Sequence, residues 1–299
     1  MSEAFIPIDL FNPGQVFACL GLLESTGVLL GNAAGGFDWS DEPNARFRIC
    51  ADGANNPVRT VIEFLSKAEV TALSPSQEEL TTDSWDVPTR QIQAESDPFS
   101  VPRPATPATL PARLSYQGKS IVVDYWGDDT SKTGRDNAKF WAGAGGYPGA
   151  ALAKDALELI KQCKGDLASD PFNVSARQSS SFRFDWRRDY IPLDIGFSLN
   201  AHSGDRFCAV GYPLVEILAA VGLTYSRPKR KSKLEYFYSV IGVPSDTELP
   251  DAIFSRAALG CSELPFYQRF FRMRLEWPGQ ENQARCITTV EEINSRPEE

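Results

Sequence analysis

The sequence has very little histidine, since His202 is the only one among its 299 residues. Nucleophilic catalysis of the Ser-His-Asp or Cys-His kind needs a histidine base. No nucleophile motif accompanies His202, which stands in a turn-like stretch of Asn, Ala, Ser, Gly and Asp. We interpret it as a solvated loop residue and predict that the protein is not an enzyme.

Paired cysteines and long apolar runs are also absent. The six cysteines are scattered singly with no CxxC pair, which excludes the usual zinc sites and a disulfide framework. We predict free, buried thiols and no cofactor.

No window reaches the roughly 18 unbroken apolar residues of a membrane span, and residues 1–10 lack the basic region of a secretory signal. We therefore expect a cytoplasmic protein that does not contact a membrane.

Charge is unevenly distributed along the chain. The net charge is −9, with 5 basic and 15 acidic residues in positions 1–100 and the remaining 25 and 24 in positions 101–299. Phosphate binding depends on clustered Lys and Arg, and local charge sets a binding face. A nucleic-acid surface is therefore expected in the later part of the chain.

Hydrophobic periodicity predicts an α+β fold with mixed, mainly antiparallel sheets and packed helices. Helices are predicted over 15–30, 58–68 and 148–162, with a strand and helix over 207–220. Strands are predicted over 5–10, 46–51, 120–126 and 182–186. Residues 70–112 are rich in Pro and polar side chains and predict a long flexible loop. The predicted organisation is an N-terminal α+β part (1–69), this segment (70–112) and a main α+β domain (113–299).

Two stretches suggest chemistry without completing a known motif. Asp124, Asp128 and Asp129 follow a predicted strand and could, with Asp185 or Asp189, bind Mg²⁺ as in nucleases, although strand-end aspartates usually open turns. The glycines at 143–149 match neither GxxxxGK[ST] nor GxGxxG. They could let the backbone approach a phosphate beside Lys139 and Trp141, or simply permit close packing.

The most basic stretch places five cationic residues within Arg227–Lys233, directly before Tyr236, Phe237 and Tyr238. Basic side chains neutralise phosphates and aromatic rings stack on bases, so the combination is typical of a nucleic-acid surface. The alternative is a solvated loop whose following aromatics return to the core. Arg183, Arg187 and Arg188 form a second basic group, which Asp185 and Asp189 could instead neutralise.

Four blocks of the sequence, taken in order, resemble CRISPR-associated proteins of type I-U (I-G) systems, specifically the small protein in the large-subunit place of the Cascade surveillance complex. The blocks span most of the chain. They are Ile8-Asp-Leu-Phe-Asn-Pro-Gly-Gln-Val-Phe-Ala-Cys-Leu-Gly-Leu-Leu-Glu24, Asp124-Tyr-Trp with Lys139-Phe-Trp-Ala-Gly143, Phe184-Asp-Trp-Arg-Arg188 with Asp194-Ile-Gly-Phe-Ser198, and Tyr212-Pro-Leu-Val-Glu-Ile-Leu-Ala-Ala-Val-Gly222 with Arg227-Pro228. The family's second Cys is Leu20 here, and Gly145 or Gly146 stands where a Gln is usual.

The resemblance implies a noncatalytic subunit that joins a crRNA-bearing backbone of other Cascade subunits and binds target double-stranded DNA. Such a subunit helps to recognise the protospacer-adjacent motif, holds the opened strands of the R-loop and recruits the helicase-nuclease. The predicted phosphate or groove contacts are Lys139, Trp141, Arg183, Arg187, Arg188, Lys229, Arg230, Lys231 and Lys233.

Asn12 and Gln15 are predicted base-edge readers, since amides can pair bidentately with adenine. Capping of the helix over 15–30 is the alternative role for Asn12. Two other functions stay open at this point. One is a metal-dependent nuclease using Asp124, Asp128 and Asp129, and the other is an assembly protein that contacts only other subunits.

Overall fold

The computed structural model describes residues 1–76, 78–92, 106–126, 146–177, 181–188, 210–277 and 285–298, and all structural statements concern these residues. Its helices and sheets confirm the predicted α+β class. The helices are α1 (Pro13–Leu30), α2 (Pro57–Lys67), α3 (Gly149–Gln162), α4 (Pro213–Tyr225) and α5 (Ala252–Leu259).

The first sheet contains β1 (Ser2–Pro7), β2 (Ala34–Asp38) and β3 (Arg46–Ala51) in the antiparallel order β1-β3-β2. The second contains β4 (Glu69–Pro75), β5 (Thr89–Ile92), β6 (Ala112–Tyr116) and β7 (Lys119–Val123) in the order β5-β4-β6-β7, with only the β4–β5 pair parallel.

Two further sheets are antiparallel. A short pair joins β8 (Ala176–Arg177) to β9 (Val210–Gly211). The C-terminal sheet has β10 (Lys229–Ser232), β11 (Glu235–Ile241), β12 (Gln268–Glu276) and β13 (Cys286–Ile293) in sequential order.

The prediction of a flexible segment over 70–112 is wrong for its described parts. Residues 70–75 belong to β4, which hydrogen-bonds to β5 on one side and β6 on the other. Val70, Ala72 and Leu110 are buried in the same core cluster as residues of α1 and α4. Most of the prolines lie outside the strands. The proline-rich composition is therefore a property of the connections between strands and not of the whole segment. Residues 93–105 lie outside the described chain.

The strand predicted over 182–186 is also not observed. Phe182 and Phe184 are buried, but Asp185 between the aromatics is fully buried as well, and Trp186–Arg188 form a 3-10 turn. The aromatic and charged residues alternate in the sequence as they would in a half-exposed strand, but this loop buries side chains of both kinds. The buried charged side chains interact with polar partners.

Helix α1 is buried from Pro13 to Thr26 and crosses α4 at very short range. A Cβ added at Gly21 would lie 1.8 Å from the carbonyl oxygen of Leu218, and one added at Gly222 would lie 2.2 Å from that of Phe17. Any larger residue at either position must therefore push the two backbones apart. Helix α1 is long and apolar enough to cross a membrane by composition, but here most of it is covered by the rest of the protein.

We predict that Gly21→Ala destabilises the protein although alanine is the better helix former. Overpacking of a tight core costs about 1–3 kcal/mol, which exceeds the roughly 0.5–1 kcal/mol gained by replacing a helical glycine. Urea unfolding followed by circular dichroism measures the difference.

Gly27→Ala is the matched control in the same helix, because its added Cβ would meet only Ala33 Cβ at 3.9 Å. This variant should be as stable as the parent or slightly more stable. Equal stability of the two variants would show that the crossing tolerates a side chain at Gly21.

Candidate nucleic-acid interface

The predicted basic stretch forms the first strand of a β-hairpin. Strand β10 pairs with β11 in the register Lys229–Phe237, Arg230–Tyr236 and Ser232–Glu235, and the chain turns at residues 233–234. Because β10 is the edge strand of its sheet, its side chains have a neighbouring strand on one side only. Arg230, Lys231 and Lys233 are exposed and Lys229 is half-buried.

The aromatic residues of this hairpin do not contribute to its surface. Tyr236, Phe237 and Tyr238 are all buried. Tyr238 donates a hydrogen bond from its hydroxyl to the Leu10 carbonyl oxygen at 2.8 Å and stacks on Phe271 with 5.0 Å between ring centroids. The alternative in which these aromatics return to the core is therefore confirmed, and base stacking on them is excluded in this conformation.

Neighbouring strands add one more cation and several carboxylates to the hairpin. Arg274 on β12 is exposed, stands opposite Glu235 in the register, and forms no ion pair with a described residue. Glu235 instead lies 3.4 Å from Lys231 Nζ and 3.6 Å from the Arg272 guanidinium, which also contacts Glu291. Exposed pairs of this kind contribute about 0–1 kcal/mol, so Lys231 can exchange its partner for a phosphate at little cost.

We define the basic edge as Arg230, Lys231, Lys233 and Arg274. Lys229 is left out because its Nζ donates to the carbonyl oxygens of Pro297 at 3.1 Å and Glu298 at 3.2 Å, near the end of the chain. A lysine-rich edge strand also prevents sheets from pairing edge to edge, and that function is compatible with phosphate binding. Arg274 was missed as a site residue, although the alternation of residues 268–276 indicates that it faces outward with Arg272.

The second predicted basic group is a buried polar node and not a surface. Arg187 donates from Nε to Asp185 Oδ1 at 2.9 Å and from Nη2 to Asp185 Oδ2 at 2.5 Å. Its other contacts are Asn173 Oδ1 at 2.8 Å, the Phe172 carbonyl oxygen at 2.7 Å and the Tyr212 ring at 3.6 Å. The alternative in which Asp185 neutralises Arg187 is confirmed, so Arg187 is removed from the DNA contacts.

Burial would lower the pKa of Arg187, but the hydrogen bonds and the charge of Asp185 outweigh it and the pKa is raised. The guanidinium is therefore permanently charged and committed to Asp185.

Arg183 is likewise misassigned as a surface contact. It is only 9 % exposed, and its φ of 62° places its backbone in the left-handed region. Its backbone N–H donates to Ser181 Oγ at 3.2 Å. Arg188 ends the 3-10 turn, and its side chain lies outside the described set.

Asn12 and Gln15 are buried at the start of α1, which corrects their assignment as base readers on an open surface. Asn12 Oδ1 accepts from the Gly14 N–H at 3.1 Å and Asn12 Nδ2 donates to Asp185 Oδ1 at 3.0 Å. The capping role predicted as the alternative for Asn12 is confirmed. Gln15 Oε1 accepts from the Asp9 N–H at 2.7 Å.

Glu216 completes the polar node and was missed in the sequence. It is fully buried in the first turn of α4, where its carboxylate accepts from the N–H groups of Phe184 at 3.2 Å and Asp185 at 3.1 Å. Gly14 lies against the same backbone, since an added Cβ would be 2.4 Å from the Phe184 carbonyl oxygen. The signal in the sequence is a single charged residue inside the otherwise apolar α4.

The remaining predicted residues are only partly covered by the structure. Lys139, Trp141, Asp128, Asp129 and His202 lie outside the described residues. Asp124 is only 4 % exposed, and its backbone N–H donates to Thr224 Oγ1 at 3.1 Å. Within the described part of the chain no group of three or more His, Cys, Asp or Glu residues could hold a metal. Cys19, Cys50, Cys163, Cys261 and Cys286 are free thiols; Cys19, Cys261 and Cys286 are buried as predicted, whereas Cys50 and Cys163 are only half-buried.

Comparison with models of known protein families, with curated proteins and with solved structures gave no match.

We predict that Arg187→Ala destabilises the protein by about 3–5 kcal/mol, because it leaves the buried carboxylate of Asp185 without a cation. Urea unfolding followed by tryptophan fluorescence measures this change. Arg59→Ala is the matched control, since Arg59 is 63 % exposed and pairs with Asp166 on the surface. That substitution should change stability by no more than about 1 kcal/mol. Similar small losses for both variants would contradict a structural role for the node.

Proposed function

We propose that this chain is a noncatalytic DNA-binding subunit of a type I Cascade-like surveillance complex in the cytoplasm. The observation that carries the proposal is the basic edge, which has three exposed cations on the β10–β11 hairpin and a fourth, Arg274, on the interior strand β12, in a chain whose net charge is −9. The resemblance of the four sequence blocks to the type I-U (I-G) component is the reason for proposing this particular complex. Its partners in that assembly are the other subunits, the crRNA, target double-stranded DNA and the helicase-nuclease.

The geometry favours contacts to the nucleic-acid backbone. A two-stranded β-ribbon can enter the major groove, but β11 is an interior strand paired with β12, so of the two hairpin strands only β10 is at an edge. The hairpin therefore presents a rim of cations and not a free ribbon. Contacts from such a rim hold the DNA in register without reading its bases.

This assignment fits the role of protecting a displaced or paired strand while the guide RNA reads the sequence. Reading of the protospacer-adjacent motif is proposed for residues other than the basic edge. The acidic remainder of the surface repels phosphate and so limits the orientations in which DNA can approach.

We predict that Arg230→Glu, Lys231→Glu and Lys233→Glu together weaken DNA binding and make it less sensitive to salt. Each lost phosphate contact should reduce the slope of log K against log salt by about 0.9 for duplex DNA. Fluorescence anisotropy with a labelled duplex at several NaCl concentrations measures both quantities.

The control carries the same charge change on other exposed residues, Arg90→Glu, Lys119→Glu and Lys164→Glu. It should keep the parent slope and most of the affinity. Unchanged binding of the hairpin variant across the salt series would contradict the assignment of the basic edge as a DNA contact. Absence of binding by the parent protein to duplex, single-stranded DNA and RNA would favour an assembly protein.

The same preparation distinguishes the proposal from a metal-dependent nuclease. We expect no cleavage of labelled duplex or single-stranded DNA in the presence of Mg²⁺ or Mn²⁺. Cleavage by the parent that is lost on Asp124→Ala, with the fold of the variant verified by circular dichroism, would replace the proposal with an enzyme.

A further inference from the structure

A cleft of about 720 Å³ opens on the N-terminal part of the molecule, away from the residues of the basic edge. Its wall comes from the end of β1, the connection between β2 and β3, the start of α1, and the Pro171–Asn173 turn with Arg187. Its lining includes Phe5, Asp9, Gln15, Asp38, Asp41 and Arg46.

Carboxylates outnumber the cations that could neutralise them in this cleft. Arg46 pairs with Asp38 at 3.3 Å, and Arg187 is committed to buried Asp185. Asp9 and Asp41 are exposed, and neither forms an ion pair with any residue that the structure describes. Asp9 Oδ1 accepts only from the Phe11 N–H at 2.8 Å, and Asp41 Oδ2 from Asn44 Nδ2 at 2.7 Å. Each carboxylate therefore keeps an oxygen for an occupant, although the charge of Asp9 also acts on Arg187.

The third carboxylate, Asp38, is ionised. Burial raises the pKa of Asp38. The hydrogen bonds from Ser245 and Ser40 and the charge of Arg46 lower it by a larger amount, so the net pKa lies well below the ordinary value. Because Asp38 already has these partners, the surplus negative charge belongs to Asp9 and Asp41.

Gln15 supplies an independent indication that the cleft binds something polar. Its side chain lines the cleft although the residue is only 5 % exposed. Oε1 is occupied by the Asp9 N–H, whereas Nε2 donates to none of the described residues. Nε2 is not enclosed by protein atoms, so its two N–H groups can donate to an acceptor that enters the cleft.

The cleft also has an apolar wall. Phe5 is 47 % exposed, and two guanidinium groups of this chain already lie near its ring, Arg46 at 5.2 Å and Arg48 at 5.9 Å from the centroid. An aromatic surface beside free carboxylates suits a long basic side chain, which packs its methylene groups on apolar surface and holds its charge against the acid.

We infer that this cleft binds an arginine-containing segment of a protein partner, with the guanidinium on Asp9 or Asp41 and a backbone carbonyl accepting from Gln15 Nε2. Arginine fits because its planar donors match a carboxylate bidentately. Nucleic acid is disfavoured here because the two free carboxylates repel phosphate. The inference concerns a different face from the basic edge and holds whether or not that edge binds DNA.

The test titrates ¹⁵N-labelled protein with the capped peptide Ac-Gly-Arg-Gly-Arg-Gly-NH₂ and follows the side-chain NH₂ signals of Gln15 and the backbone signals of Asp9 and Asp41. All three should shift with one saturating curve. Ac-Gly-Glu-Gly-Glu-Gly-NH₂ should cause no shift. Adenosine monophosphate is titrated in parallel, and shifts caused by it but not by the arginine peptide would overturn the inference in favour of a nucleotide.

Asp9→Lys with Asp41→Lys should weaken peptide binding by about tenfold or more, since like charges then oppose the guanidinium. Glu79→Lys with Asp83→Lys makes the same charge change on exposed residues outside the cleft and should keep the parent affinity. Equal losses in the two variants, or no peptide-induced shift in the parent, would overturn the inference. The charge-reversed hairpin should bind the peptide normally, which separates failure here from failure of the DNA proposal.

Discussion

Helices α1 and α4 approach so closely that Gly21 and Gly222 leave no space for a Cβ at their contact. This crossing fixes the positions of both helix N-termini. Asn12 caps α1 and Glu216 stands in the first turn of α4, and both side chains bind the loop around Asp185. The crossing therefore determines where the polar node forms. The node in turn holds Arg187 at the wall of the acidic cleft, while the end of α4 leads into the hairpin that carries the basic edge.

The buried node explains why counting basic residues overstates the nucleic-acid surface. Arg187 saturates its guanidinium with Asp185, Asn173 and a backbone carbonyl, and Arg183 is buried. A buried charge is stable only when it is paired and hydrogen-bonded, so such residues serve the fold. Four exposed cations lie together on the β10–β11 hairpin and the adjacent strand β12. Net charge conceals this arrangement, because binding follows the local distribution of exposed groups and not their sum.

Local sequence patterns predicted the helices and strands well where the position of a residue in its helix or strand decides whether it is buried. Strand β3 has the predicted bounds, and α1, α2 and α3 begin within two residues of the predicted positions. The pattern misled where a loop is buried. Phe184 and Asp185 alternate like a half-exposed strand, yet both are buried and held by the carboxylate of Glu216. The proline-rich composition of 70–112 likewise concealed β4, whose partners β5 and β6 come later in the chain.

The sequence by itself determined the α+β class, the apolar character of α1, the capping of that helix by Asn12 and the position of a basic stretch before β11. These properties depend on residues a few positions apart, which interact through local backbone geometry. Only the tertiary structure decided that Tyr236 and Tyr238 face the core, that Arg187 pairs inward, and that Asp9, Asp41 and Gln15 share a cleft. Such outcomes depend on contacts between distant segments, which residue types and spacing do not specify. The neighbours that the fold brings together therefore decide what each of these side chains does.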